Sequence, residues 1–166
     1  MARKKLRKKL EWFKDLRLPS LAIMHLTRRP DLRVQQEVRK GSKVVDLMVE
    51  IVDGERPAWK RFGVYLQGTM SPVTIEHANK VLNVSLQRFF NDYGEPTLPF
   101  CLFYFTVAEG QGFVTWIAEP LVKDGSSMLK YHEKANFTVL DQEALDRIVD
   151  QVNSYFEAIR NRAIRI

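Results

Sequence analysis

The chain has 166 residues, of which 45% are hydrophobic and 28% are charged, as is typical of one soluble globular domain with its own core. No apolar run reaches the roughly 18 residues that span a membrane, and no apolar segment follows the basic N-terminus, so we expect neither a transmembrane segment nor a secretory signal. Because the one cysteine, Cys101, cannot form an internal disulfide, we expect a cytoplasmic protein.

The net charge of +6 is concentrated at the N-terminus. Six cations lie in the first ten positions, with no acid among them: Arg3, Lys4, Lys5, Arg7, Lys8 and Lys9. Of the 26 Lys and Arg residues in the chain, this leaves 20 against 20 Asp and Glu, so the remaining sequence is formally neutral. We therefore expect a basic amphipathic arm over residues 1–18 and a single domain over residues 19–166.

Three interpretations of this arm remain open. The first is a solvated terminal segment. The second is contact with nucleic acid, because clustered cations bind phosphates with a strong salt dependence. The third is adsorption to an anionic membrane surface, since Leu6, Leu10, Trp12 and Phe13 add apolar side chains to the cations.

The first half of the chain after the arm predicts one short helix and three strands. Pro19 and Ser20 open this helix, which covers residues 21–27 and ends before Arg29, because Pro30 disfavours helical backbone in the residue before it. Extended patterns follow over residues 32–39, 44–52 and 61–67. Short turns join the three segments, so they predict an antiparallel meander.

The second half predicts two helices around a pair of strands. Thr74 is the expected N-cap of a long helix that ends at Gly94. A continuously apolar run over 99–107 predicts a strand buried on both faces, and residues 113–117 predict its hairpin partner before a variable segment. A last helix is capped near Asp141, and its predicted inner face consists of Leu145, Ile148, Val149, Val152, Phe156 and Ile159. This order predicts an α/β fold in which a mixed sheet is flanked by helices.

Part of the meander resembles a metal-binding hairpin. Asp46 lies on the second predicted strand, and the third strand ends in RFGVYLQGT. With the long helix from Ile75, the strands LPFCLFYFTV and GFVTWIAEP, and the helix in TVLDQEALDRIVDQVNSYF, the chain resembles uncharacterised bacterial domains of unknown function. Those domains share a restriction-endonuclease-like (PD-(D/E)XK) fold, and the resemblance covers most of this chain.

The resemblance implies a specific arrangement of three side chains. In this fold an aspartate and an acid on the next strand hold a divalent cation, and a lysine two residues after that acid activates water or steadies developing charge. Residues i and i+2 of a strand share a face, and Mg²⁺ prefers oxygen ligands. Asp46 matches the first acid, but Tyr65 stands in place of the second and Gln67 in place of the lysine.

These replacements predict a degenerate and inactive metal site. A neutral tyrosine is a poor Mg²⁺ ligand, and glutamine cannot carry the charge or the proton of lysine. The resemblance therefore predicts a binding or assembly module that needs no cofactor and cleaves nothing. A homodimer is a further expectation, from the apolar content and the long terminal helix.

An alternative places the metal ligands elsewhere. Glu50 follows Asp46 by four positions and would share its strand face, and Glu37 on the preceding strand could face the same site. Lys60 would then stabilise charge in a DNA or RNA nuclease dependent on Mg²⁺ or Mn²⁺. The simpler interpretation of Asp46 and Glu50 is that both are polar residues on a half-exposed sheet face.

The remaining reactive residue types predict packing. The three histidines, His25, His77 and His132, do not have metal-ligand spacing with one another, so each is expected on the surface or in a packed position. Cys101 lies inside an apolar strand, where it is expected to be a small core residue.

Overall fold

The computed structural model describes residues 16–36, 47–54 and 59–164. Its helices and strands, in chain order, are α1 (16–26), β1 (Leu32–Gln35), β2 (Leu47–Ile51), β3 (Lys60–Thr69), α2 (Ile75–Tyr93), β4 (Phe100–Thr106), β5 (Gln111–Lys123), β6 (Ser126–Tyr131), β7 (Thr138–Val139) and α3 (Gln142–Ala163). This order confirms the predicted α/β class. Across the described ranges, no helix has the length and apolar character that crossing a membrane would need.

The strands form one open, mixed sheet. Within the described ranges it has seven strands in the order β1-β2-β3-β4-β5-β6, and β7 pairs with β5. β3 and β4 run parallel, joined by the crossover helix α2, and the other neighbours pair antiparallel. The predicted antiparallel meander is therefore confirmed as β1-β2-β3.

Each face of the sheet packs against helices. Val49, Phe62 and Phe103 are fully buried on the face that carries α1 and α3. The opposite face buries Leu102 in a cluster with Phe89 of α2. All seven residues of β4 are buried, so the prediction of a strand enclosed on both faces is confirmed.

The structure adds two strands that the sequence pattern did not predict. The segment predicted to be variable is a tight turn at Asp124 and Gly125, both with positive φ, and it connects β5 to β6. β5 is also longer than predicted: it continues past Pro120, which pairs with Leu129 of β6. A proline in a run ordinarily argues against a central strand, which is why the end of β5 was not predicted. β6 was not predicted because its sequence, SSMLKY, mixes polar and apolar residues.

The start of α1 and the buried faces of the helices also differ from prediction. The chain is already helical at residue 16 and Leu18 is buried in the core, so the prediction that Pro19 and Ser20 open a helix over residues 21–27 is wrong at its start. The caps Thr74 and Asp141 are confirmed, each accepting a backbone hydrogen bond. Tyr155 is buried on α3, whereas the predicted inner residue Ile159 is 38% exposed.

Gly63 allows α2 to approach the sheet. Gly63 lies opposite Phe100 in the parallel β3–β4 register, and a Cβ atom at this position would overlap the Phe100 ring. That ring is buried, with its centroid 5.5 Å from that of Phe89 on α2. The missing side chain therefore leaves the space in which an aromatic contact joins helix and sheet.

We expect Gly63→Ala to destabilise the fold by about 1–3 kcal/mol, because the added methyl group must displace the Phe100 ring. Urea unfolding of Gly63→Ala, Phe100→Leu and the double variant measures this coupling. The smaller Leu side chain should relieve the overlap, so the double variant should lose less stability than the two single losses combined. Strict additivity would contradict this account.

His25 is a buried polar residue on α1. Its ring centroid lies 5.6 Å from that of Phe105, and it belongs to the side chains that are nearly inaccessible to solvent. Burial lowers the pKa of His25 from its ordinary value of 6.5, and the nearby charge of Arg28 lowers it further. His25 is therefore neutral in the folded protein over a wider pH range than in the unfolded chain.

We expect this difference to make stability depend on pH below about 6.5. As the pH falls below the unfolded pKa, the unfolded chain binds a proton that folded His25 does not, so the free energy of unfolding decreases. His25→Gln should flatten the dependence between pH 5 and 6.5, as measured by urea unfolding at several pH values. The matched control His77→Gln alters an exposed histidine and should retain the slope. Equal slopes in His25→Gln and wild type would contradict this explanation.

Candidate functional site

Several predicted site residues lie outside the described ranges. These are Asp46, Glu37 and the six cations of the arm, Arg3, Lys4, Lys5, Arg7, Lys8 and Lys9. Glu50, Lys60, Tyr65 and Gln67 are all described. The geometry of the predicted hairpin is therefore defined by β2, β3 and their partners.

Tyr65 and Gln67 share one face of β3, as their spacing of two predicts. The Gln67 Nε2 atom donates a hydrogen bond of 2.5 Å to the Tyr65 Oη atom. The Tyr65 ring packs 5.5 Å from the Phe89 ring of α2. Both side chains are half-buried, and the two motif positions contact each other beneath the helix.

Glu50 lies between two arginines in the sheet. It is opposite Arg33 of β1 on one side and opposite Arg61 of β3 on the other. Residues directly opposite in antiparallel strands share a face with Cβ atoms roughly 5 Å apart. Because Val49 and Ile51 alternate into the core on the α1–α3 face, Glu50 and the two arginines lie on the α2 side of the sheet.

Lys60 lies on the other face of the sheet. It pairs in register with Ile51, and its Nζ atom forms an ion pair of 2.6 Å with Glu157 of α3. The ammonium group is also 5.3 Å from the centroid of the Trp59 ring. Glu50 of β2 pairs with Arg61, the neighbour of Lys60 in β3. Because adjacent positions in a strand point to opposite faces, the structure does not bring Lys60 and Glu50 into one site. The sequence alone placed Glu50 on the second predicted strand and Lys60 near the start of the third, but it did not determine the register between them.

The remaining predictions concern metal ligands, the cysteine and the histidines. Among the described residues, no group of three or more His, Cys, Asp or Glu side chains is placed to hold a metal ion. Cys101 is fully buried, and burial raises the pKa of its thiol well above the ordinary value, as expected for a core cysteine. His77 is exposed at the start of α2.

A second polar cluster connects β5 and α3. The His132 Nε2 atom lies 2.6 Å from Glu119 Oε2, and Gln151 Nε2 donates a 3.2 Å hydrogen bond to Glu119 Oε1. The indole Nε1 of Trp116 donates a 3.3 Å hydrogen bond to Gln151 Oε1. Because an ionised carboxylate only accepts hydrogen bonds, Glu119 in that form requires a hydrogen on His132 Nε2.

This cluster borders a cavity of about 250 Å³. The cavity lies where the chain leaves the β5 edge after β6 and returns to it at β7, since only residues 118–123 and 113–114 of β5 pair with these strands. Its lining combines apolar, polar and charged side chains: Val114, Thr115, Trp116, Glu119, His132, Asn136, Thr138, Ala144, Arg147, Ile148 and Gln151.

No pattern in the sequence predicts this site. The histidine spacing predicts a packing or surface role for His132, whereas in the structure His132 has an acidic partner 13 positions earlier in the chain. The spacing of Arg147, Ile148 and Gln151 indicates one helix face, but it does not reveal which strand that face meets. No local signal in the sequence joins Glu119 to Gln151, because the contact depends on how α3 crosses the sheet.

Comparison with protein-family models, with curated proteins and with solved structures finds no match for this chain. The resemblance based on Asp46, Tyr65 and Gln67 therefore stays a prediction.

Proposed function

We propose that this protein is a non-catalytic binding module with a restriction-nuclease-like fold, in which the metal site has been lost. The mixed α/β sheet and its N-terminal antiparallel meander support this proposal. The function follows from the chemistry of the two motif positions on β3, since the sheet alone is compatible with many activities.

The observation that carries the proposal is the hydrogen bond between Gln67 and Tyr65. A nuclease site of this type needs an ionised carboxylate to hold the metal and a charged lysine beside it. Here two neutral side chains occupy the corresponding positions, and the amide of one binds the hydroxyl of the other. Neither group supplies negative charge to a cation, and the Gln67 amide cannot carry the positive charge or the proton of the lysine that it replaces.

The surroundings of Glu50 give independent support. Arg33 and Arg61 lie on both sides of this carboxylate, so a divalent cation at Glu50 would be close to two guanidinium groups. Like charges at these separations repel each other, which disfavours a cation. Lys60 is held by Glu157 on the other face and supplies no charge to this surface.

The partner that the charge distribution favours is nucleic acid. The six cations between Arg3 and Lys9 form a dense positive segment on a chain that is otherwise formally neutral. Such a segment binds phosphates without base specificity, and its affinity decreases steeply with salt. The proposed module therefore holds nucleic acid through its arm and does not cut it.

We expect the protein to retard plasmid DNA or a structured RNA in a gel without cleaving it, in the presence of Mg²⁺ or Mn²⁺. Deletion of residues 1–10 should abolish retardation at 150 mM salt, because it removes the cations. Asp46→Ala should behave as wild type in both respects. Metal-dependent cleavage that is lost in Asp46→Ala would instead establish a nuclease with migrated ligands. Retardation unaffected by the deletion would exclude the arm as the contact.

The lost metal site predicts a gain of function when its residues are restored. Tyr65→Glu with Gln67→Lys should bind Mn²⁺ at least about tenfold more tightly than wild type, because it supplies the missing acid and a lysine beside it. Calorimetric titration measures this affinity, and circular dichroism checks the fold. Adding Asp46→Ala to the double variant should remove the gain. If restoration leaves Mn²⁺ binding unchanged, the resemblance at these positions carries no chemistry.

A further inference from the structure

We propose that the cavity between β5 and α3 is a binding site for a small organic carboxylate. The cavity borders α3, whereas Tyr65 and Gln67 lie under α2 on the opposite face of the sheet. The inference therefore does not rest on the proposed function. Three properties support it: an ordered polar wall, an apolar wall, and a balance of charge that favours an anion.

The polar wall is held by a chain of hydrogen bonds. Trp116 donates to Gln151, Gln151 donates to Glu119, and the other oxygen of Glu119 shares a hydrogen bond with His132. These side chains come from three separate parts of the chain, and each is only partly exposed. Such a chain holds its members in defined positions, which preorganises the surface that a ligand would contact.

The cavity also has an apolar side. Val114, Ala144 and Ile148 line it, and the Trp116 ring adds a broad hydrophobic surface. Pockets for small molecules characteristically combine such a lining with a few placed polar groups. A volume of about 250 Å³ limits the ligand to a small one with a compact apolar body.

The charged side chains that line the cavity favour an anion over a cation. Each oxygen of Glu119 already has a hydrogen-bond partner, Gln151 or His132, so this carboxylate is engaged within the protein. Arg147 lines the cavity, and its only described ion pair is a 2.8 Å contact with Glu143 on the exposed side of α3. Exposed pairs of this kind are weak, so the guanidinium can turn towards a ligand at little cost. A guanidinium binds a carboxylate in bidentate geometry.

The test is a titration of the ¹⁵N-labelled full chain with sodium benzoate at constant ionic strength. The readout is the indole N–H resonance of Trp116, assigned by its absence from Trp116→Phe. We expect a saturable shift with benzoate and none with benzamide, which has the same shape but no charge. Arg147→Gln should weaken benzoate binding by about tenfold or more, because a charge-assisted hydrogen bond is lost.

The matched control is Arg160→Gln, which removes an exposed arginine from the same helix outside the cavity and should leave the affinity unchanged. The proposal is overturned if benzoate leaves the Trp116 resonance unmoved, if benzamide shifts it equally, or if Arg147→Gln binds benzoate as tightly as Arg160→Gln. The proposed nucleic-acid retardation depends on residues 1–10, and the proposed metal binding depends on Asp46. A failure of the carboxylate site would therefore leave the proposed function untouched, and the reverse also holds.

Discussion

The burial of β4 on both faces is the constraint on which the rest of the structure depends. Its seven residues are buried, so each face of the strand must be covered by a helical layer. Cys101, Phe103 and Phe105 face α1 and α3, and Leu102 and Tyr104 face α2. A two-sided core of this kind explains why the crossover helix and the terminal helix lie on opposite faces of the sheet.

The same constraint determines what the β3 motif positions can do. β3 runs parallel to β4, with Tyr65 opposite Leu102 and Gln67 opposite Tyr104. The two side chains therefore lie beside the apolar layer under α2, where a polar group needs a hydrogen-bond partner. Tyr65 and Gln67 provide one for each other. A carboxylate and an ammonium at these positions would lose more hydration than this neutral pair does, and this physical difference separates a metal site from a packed polar pair.

The second polar cluster lies at the edge of the other apolar layer, the one between the sheet and helices α1 and α3. β5 continues beyond the end of β4, and between its pairings with β6 and β7 the sheet has a gap that α3 covers. Glu119 and His132 meet there with Gln151 of the helix. The cavity exists because the chain leaves the β5 edge after β6 and returns at β7, and apolar side chains do not fill the space. Its hydrogen-bond chain links β5 and His132, the residue after β6, to α3.

The sequence by itself determined the α/β class, the meander, the caps Thr74 and Asp141 and the buried strand β4. Periodicity, capping residues and continuous apolar runs are local properties of the chain, which is why they could be recognised without coordinates. Strands β6 and β7 were missed because pairing with β5 outweighs their weak local pattern. Only the tertiary structure decided that Lys60 and Glu50 face opposite ways, and that Glu119, His132 and Gln151 form one cluster. These contacts depend on the register between strands and on the angle at which α3 crosses the sheet. Both are determined by residues far apart in the chain, so no local pattern reveals them.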